Sequence, residues 1–333
     1  MSAFSAWLDG ARRVNRAPAI LIGVWALTLL VSVPLTLALR GMLAQHLGSS
    51  LAADTAASGV NYDWMQEFSE QATGLGVTFG PNVIGFAAVL DNLSAFMDAT
   101  SRPAVVAGAA AVYALGWIFL AGGIIDRYAR DQATRAHGFF SASGVFFFRF
   151  LRLAAVQALV YAFLFGPTHR WLFDRLYERM IHDVAVERTA FFVRLTLYVV
   201  FGLLVAACVM IFDYAKVRAV VEDRRSMLGA IRAALGFIQR NYVAAVLLFL
   251  ANFALFAVVV GVYAIVAPGG GTTASLWVGI ALGQLYVIGR LWVKLVFWAS
   301  ETALFQQRLA HAGYVARPRP MWPDSPAADA IHE

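Results

Sequence analysis

The chain has 333 residues, of which 60% are hydrophobic and only 14% charged, and its mean hydropathy is +0.68. A soluble domain is close to a quarter charged, so this composition excludes an ordinary soluble globule and makes lipid the solvent for much of the surface. The net charge of +6 would suit a nucleic-acid binder, but the basic residues lie between apolar runs and gather on alternate loops, as a topology signal does, so no nucleic-acid partner is expected.

Six stretches have the roughly 20 apolar residues that a bilayer requires: 18–39, 104–125, 150–167, 191–212, 243–267 and 275–298. The first follows "ARRVNR", opens on Pro18, which suits a first helical turn, and contains Pro34, where a kink is expected. Its apolar run is longer than that of a signal peptide and no small-residue cleavage site follows, so it is expected to stay attached. The segment 40–103 is read as an extracytoplasmic piece with two short helices. One is "NYDWMQEFSEQATG", stopped near Gly74; the other is "PNVIGFAAVLDNLSAFMD", which puts Val83, Phe86, Leu90, Leu93 and Met97 on one face.

Between spans three and four, "HRWLFDRLYERMIHDVAVER" alternates signs, with Arg170 and Asp174, or Arg179 and Asp183, four residues apart, and reads as a further surface helix. Residues 308–333 read as a flexible cytoplasmic tail. The expected fold class is therefore all-α: one polytopic membrane helical bundle over residues 1–333, with about six transmembrane helices plus amphipathic interfacial helices.

Orientation follows from Lys and Arg. One side carries fifteen, leaving out Arg149 at the edge of span three: Arg12, Arg13 and Arg16 before span one, Arg127, Arg130 and Arg135 between spans two and three, six between spans four and five, and three after span six. The other side carries six, namely Arg40, Arg102, Arg170, Arg175, Arg179 and Arg188. Both termini are expected in the cytoplasm. A faint internal repeat runs through the same elbows. "IIDRYARD" precedes "SASGVFFFRFLRLAAVQALV", and "IFDYAKVR" precedes "SMLGAIRAALGFIQRNYVAAVLL"; in each copy an Asp ends an apolar run and a Ser-led amphipathic segment returns to the membrane.

No catalytic residue is assigned: G-x-S-x-G, H-E-x-x-H and a Walker lysine are all absent. Cys208 stands alone, so neither an intramolecular disulfide nor a thiolate metal cluster can form within the chain. Asp174, Glu178 and His182, with His169 nearby, have ligand-like spacing, but basic residues stand in ion-pair register with them, so no metal and no cofactor is expected. Polar groups within spans are the better lead, because each must find water, a partner or headgroups. Gln157, Asn252 and Gln284 suit helix-to-helix hydrogen bonds. Arg290, Lys294 and Glu301 fall on one stripe of span six. Two readings stand: anchoring at the interface, or a polar cluster with Asp126 and Asp213 in a cytoplasm-facing vestibule. Gly279 with Gly283, and Ala104 with Gly108, are small-residue pairs suited to close packing and permissive of a homo-oligomer.

The stretch "FDYAKVRAVVEDRRSMLGAIRAALGFIQRN" reads as a cytoplasmic elbow and a surface helix. Ser226 is the expected N-cap, and Leu228, Ile231, Leu235 and Ile238 form the apolar stripe laid on the membrane. Arg224, Arg225, Arg232 and Arg240 are its candidate contacts to anionic lipid headgroups, worth about 1 kcal/mol each near the surface. This elbow, with the organisation of residues 104–307, resembles a loosely defined group of bacterial six-span proteins. Some of these are similar to the membrane domain attached to certain glycerophosphodiester phosphodiesterases. The resemblance implies a bacterial plasma-membrane protein. The metal-binding signature of the phosphodiesterases is absent from this sequence, so their activity is not carried over. The expected function is a non-enzymatic integral membrane component that binds a partner protein or lipids. The alternative is a small-solute or lipid permease with a polar vestibule between spans two, four and six.

Overall fold

The computed structural model describes residues 2–48, 50–58, 61–80, 82, 85–268 and 276–308. Val83, residues 269–275 and residues 309–333, with His311, Arg317, Arg319 and His332, lie outside the described residues. The helices are α1 (Ala3–Asn15), α2 (Pro18–Gly48), α3 (Ala53–Ser58), α4 (Tyr62–Gln71), α5 (Phe86–Met97), α6 (Ala104–Arg130), α7 (Ala136–Phe163), α8 (Tyr177–Ile181), α9 (Glu187–Val221), α10 (Met227–Arg240), α11 (Tyr242–Val266) and α12 (Leu276–Arg308). No β-strand occurs among the described residues. Six helices are long and apolar enough to cross a bilayer. The protein is an all-α polytopic membrane bundle.

Its two ends differ. At one end the last turns of α6, α9 and α12 meet, and each has an amphipathic helix along it: the start of α7 on α6, α10 on α9, and α1 on α12. Each amphipathic helix then leads into a further span, as the rest of α7, as α11 after Asn241, and as α2 after Arg16. The two-copy repeat legible in the sequence is thus joined by a third unit made from the two ends of the chain. At about 1.5 Å per residue the 35 residues of α9 reach roughly 52 Å, well beyond a hydrocarbon layer of about 30 Å, so part of this packed end stands outside the lipid. There, burying apolar side chains against water is favourable, by about 1.5–3 kcal/mol for a fully buried large one. Within lipid that drive is absent and the spans rely on close packing and hydrogen bonds. The burial follows this division: Phe212, Met227, Phe237, Leu304 and Phe305 are buried, while Leu30, Val112, Leu159, Leu203 and Val258 are exposed along the spans.

Small residues and polar caps lock the packed end. The Cα of Gly10 sits so close to α12 that an added Cβ would lie 2.5 Å from the Ser300 nitrogen, and Gly123 makes a similar approach to Ser143 and Phe139 on α7. Arg13 of α1 donates to the Tyr128 carbonyl at 2.8 Å and to Gln306 Oε1 at 2.8 Å, and Gln306 donates to the Ala129 carbonyl at 2.8 Å. These bonds serve the last carbonyls of α6, which have no partner within their own helix. Asp131 and Asp223 end α6 and α9 with φ of 47° and 48°, a left-handed stop that Asp tolerates better than most residues.

Three expectations are revised. The surface helix expected after span three is the continuation of that span, since Ala136–Ile181 is one helix of 46 residues. It carries π-helical turns at Leu164–Thr168 and Trp171–Leu176. Pro167 lies in the first, and its missing N–H withdraws the bond to the fourth residue before it. The wider π turn also takes Arg170 and Asp174 out of register. Neither that pair nor Arg179 with Asp183, which lies past the helix end, forms an ion pair among the described residues. Leu172 instead packs with Leu164, Leu197 and Phe201. The second revision is in α10. Ser226 does cap it, accepting from the Gly229 amide at 3.2 Å. Leu228, at 69% exposed, is free to face a membrane as expected, but the stripe's Ile238 is buried together with a second face of Met227, Ala230, Ala234 and Phe237 that the sequence reading left unassigned. Alanines allow the close approach to α9, so the small-residue face wins the core and the leucine face is left outside. Third, Gly108 and Gly283 have open space where a Cβ would stand, and Gly279 meets only Pro268 at an ordinary 3.5 Å; among the described residues neither pair makes a close helix-to-helix approach.

Among the other expectations, α4 starts on an Asn61 cap, whose Oδ1 accepts from the Trp64 amide at 3.0 Å, and Gly74 follows it with φ of 57°. Helix α5 leaves Leu90 and Leu93 exposed. Helix α2 runs through Pro34 without a break.

Candidate functional site

Helix α12 is hydrophobic enough to span, yet places Arg290 and Lys294 one turn apart. Arg290 lies fourteen residues from the start of the helix, about 21 Å along it by helix rise. On α2, Thr28 is ten residues past Pro18, about 15 Å, and on α11 Phe256 is fourteen past Tyr242, about 21 Å. These residues meet at mid-span around a cavity of about 440 Å³ lined by α2, α6, α11 and α12. Its wall is Trp117, Phe256, Val287, Leu291, Val293 and Phe297, with four polar groups from Thr28, Tyr113, Arg290 and Lys294.

The polar groups are unequally provided for. Thr28 Oγ1 donates to the Val24 carbonyl at 2.9 Å, as hydroxyls in helix interiors commonly do. Its 3.1 Å bond to the Tyr113 hydroxyl is then one that Tyr113 donates. Both hydroxyl hydrogens are committed. Arg290 packs its guanidinium over the Tyr286 ring at 5.5 Å, and among the described residues no carboxylate pairs with it. Lys294 reaches Asp213 Oδ2 at 3.4 Å and keeps 40% of its side chain exposed.

Behind Lys294 lies a buried charge cluster. Asp213 is 2% exposed, and its second oxygen accepts from Lys216 at 2.7 Å. Both ammonium groups sit over the Trp298 ring, Lys216 at 5.3 Å and Lys294 at 4.9 Å from its centre. Glu301 is buried within electrostatic reach of Asp213, Lys216 and Lys294, and its Oε2 has no hydrogen-bond partner among the described residues. Asp126 is bound by Arg130 on its own helix, at 2.8 Å. Asp213, Lys294 and Glu301 are thus brought together, Arg290 opens onto the adjoining cavity, and Asp126 is engaged one helix away. Lys216 completes the cluster; its place three residues after Asp213, on the same helix face, was the signal in the sequence.

Of the four arginines on the elbow, Arg225, Arg232 and Arg240 are exposed. Arg224 is half-buried and ion-paired to Glu222, which Arg218 also holds at 2.6 Å. Burial pushes the Glu222 carboxyl up, but the hydrogen bonds from Arg218 and Arg224 outweigh it, and its pKa is lowered. Exposed Leu228 and Leu235 alternate with Arg225 and Arg232 at steps of three and four, one stripe along the outside of α10. Asn252 donates to Ser300 Oγ at 2.9 Å and Trp25 Nε1 donates to Gln284 Oε1 at 2.9 Å, each tying two spans together. Among the described residues no three of His, Cys, Asp and Glu are grouped to hold a metal ion. His169 bonds the Met97 carbonyl at 2.9 Å, and His182 bonds Asp183 at 2.9 Å.

Fold and site together define a multi-pass α-helical membrane protein with a charged cavity at the middle of its spans. No protein-family model, curated protein or solved structure matches the chain.

Proposed function

We propose that this protein is a non-enzymatic component of a bacterial plasma membrane that binds lipid, with its packed end and both termini in the cytoplasm. The observation that carries the lipid reading is Arg290, a positive charge at mid-span with no carboxylate partner among the described residues, opening on an apolar cavity. An ionised side chain at that depth is costly and marks a ligand pathway or site by default. The orientation is supported by the fifteen-to-six distribution of basic residues, and the bacterial setting by the resemblance of the elbow. The exposed Arg–Leu stripe of α10 suits the surface of an anionic leaflet, its leucines below the headgroups and its arginines among them.

The test is purification in mild detergent followed by mass spectrometry of what accompanies the chain. An anionic lipid that co-purifies with the native protein and is lost from Arg290→Gln supports the reading. A stoichiometric protein partner with no retained lipid replaces it by the partner-binding form of the same function. The permease reading is favoured by one contact, the Lys294–Asp213 bond beside the cavity. The packed end beyond it is filled by Leu295, Ala299, Ala303, Leu304 and Phe305, all fully buried, which favours binding over passage.

A further inference from the structure

We infer that the ligand of the mid-span cavity is a single-chain amphiphile with an anionic head, the head between Arg290 and Lys294 and the chain against Trp117, Phe256 and Phe297. This rests on the lipid-binding reading and narrows its ligand class.

Three observations carry it. The first is donor supply. With the Thr28 hydrogen on Val24 and the Tyr113 hydrogen on Thr28, neither hydroxyl has a hydrogen left for a ligand, and the charged donors facing the cavity are the two cations. A neutral polyol head could accept from them but would bring no counter-charge, whereas a carboxylate or phosphate monoester matches a guanidinium and an ammonium. The second is counter-charge. Asp213 is held at 2.7 Å by Lys216 and only at 3.4 Å by Lys294. An arriving anion can therefore take Lys294 while Asp213 keeps its nearer partner and is not left buried and unpaired. The third is volume. At about 30 Å³ for each water-sized group, 440 Å³ holds roughly fifteen such groups. That accommodates a head with one chain of about a dozen carbons; a second chain would have to lie outside the cavity.

The test uses the full chain in phosphatidylcholine nanodiscs and 12-bromododecanoate, whose bromine quenches a nearby indole. Quenching above that of unspecific partition should saturate, and Trp117→Phe should remove the largest part of the saturable signal. Dodecyl phosphate should compete, while dodecyltrimethylammonium and inorganic phosphate should not. Arg290→Gln should weaken binding at least tenfold, as expected when a charged hydrogen bond is lost. Val287→Phe, which fills the cavity without touching its charges, should do the same. Saturable quenching that neither variant alters would overturn the assignment to this cavity. If brominated phosphatidylglycerol quenches saturably and depends on Arg290 while 12-bromododecanoate does not, the single-chain inference falls and lipid binding stands. If neither quenches saturably, both fall.

Discussion

Replacing Asp213 by Asn tests whether the charge cluster holds α9 against α12. Asp213 is 2% exposed and its two oxygens bind two lysines from two helices. Asn keeps the shape and removes the charge. Lys216, at 17% exposure, is then left with its ammonium against the Trp298 ring and no anion, whereas Lys294, at 40%, turns to the cavity. Breaking a buried pair from one side costs about 3–5 kcal/mol, and the exposed Lys294 adds little because solvent screens it. Lys216→Met alone leaves Asp213 with the more distant Lys294, and a loss of similar size is expected. The double variant leaves neither charge stranded, so its loss should fall below the sum of the two by about 1–3 kcal/mol. At about 2 °C per kcal/mol for a chain of this length, each single variant should lower the unfolding midpoint in detergent by about 6–10 °C. Unchanged midpoints, or strict additivity in the double variant, would refute the cluster as a stabilising contact.

Two further outcomes follow from other parts of the fold. Gly10→Ala drives a Cβ to within 2.5–2.6 Å of Ser300 backbone and side-chain atoms, so α1 must lift from α12; a loss of about 1–3 kcal/mol is expected. Faster proteolysis within residues 3–16 would show it, and native-like protection of that segment would contradict it. At the other end, Asp98 accepts from the Tyr198 hydroxyl and lies beside Arg194, tying the turn after α5 to α9. The Tyr198 hydrogen bond is the largest cause of a lowered Asp98 pKa. Because the folded pKa is below the ordinary 3.8, the tie is complete above about pH 5 and is lost only as pH falls through the folded value. Amide exchange over residues 94–102 should be unchanged between pH 7 and 5, after correction for intrinsic rates, and rise below pH 4; a rise between 7 and 5 would assign the tie to another group.

Much of the architecture was legible because lipid imposes a coarse and strong rule: about 20 apolar residues in a row. The cap at Ser226 and the bonds of Asn252 and Gln284 were legible for a similar reason, each being a polar group with few ways to be satisfied. What escaped the sequence depended on which of two acceptable faces wins. In α10 both the leucine stripe and the alanine stripe are amphipathic, and only proximity to α9 decides that the smaller face is buried. The glycines singled out by spacing, Gly108 and Gly283, are open, while close approaches occur at Gly10, four residues after Ala6, and at Gly122 and Gly123, which have no small residue four positions away. Pairing of α1 with α12 joins the two ends of the sequence, and no local periodicity reports a contact of that range. The site was half legible: Asp213, Lys294 and Glu301 were grouped by depth, but Asp126 lies at an equivalent depth and is held by Arg130.

The arginines themselves argue that the cavity is more than a packing defect. Arg13 spends its donors on Asp9, the Tyr128 carbonyl and Gln306; Arg218 spends its own on Glu222 and the Ala233 carbonyl. Arg149 binds Asp223 and the Arg224 carbonyl. Each of these cations closes a helix end or an elbow at the packed end, where water can also reach. Arg290 differs from these three in depth and in partners: it stands at mid-span, exposed beside an aromatic ring, with no carboxylate among the described residues. Leucine at that position would give the span a lower cost of insertion, by the few kcal/mol that separate the two side chains at the bilayer centre. A structural role would recover that cost through a carboxylate on the protein, and among the described residues Arg290 has the Tyr286 ring but no carboxylate. A ring face recovers only part of the cost, and on the proposed reading the rest comes from outside the chain, as an anion, which is what a guanidinium in an apolar wall selects.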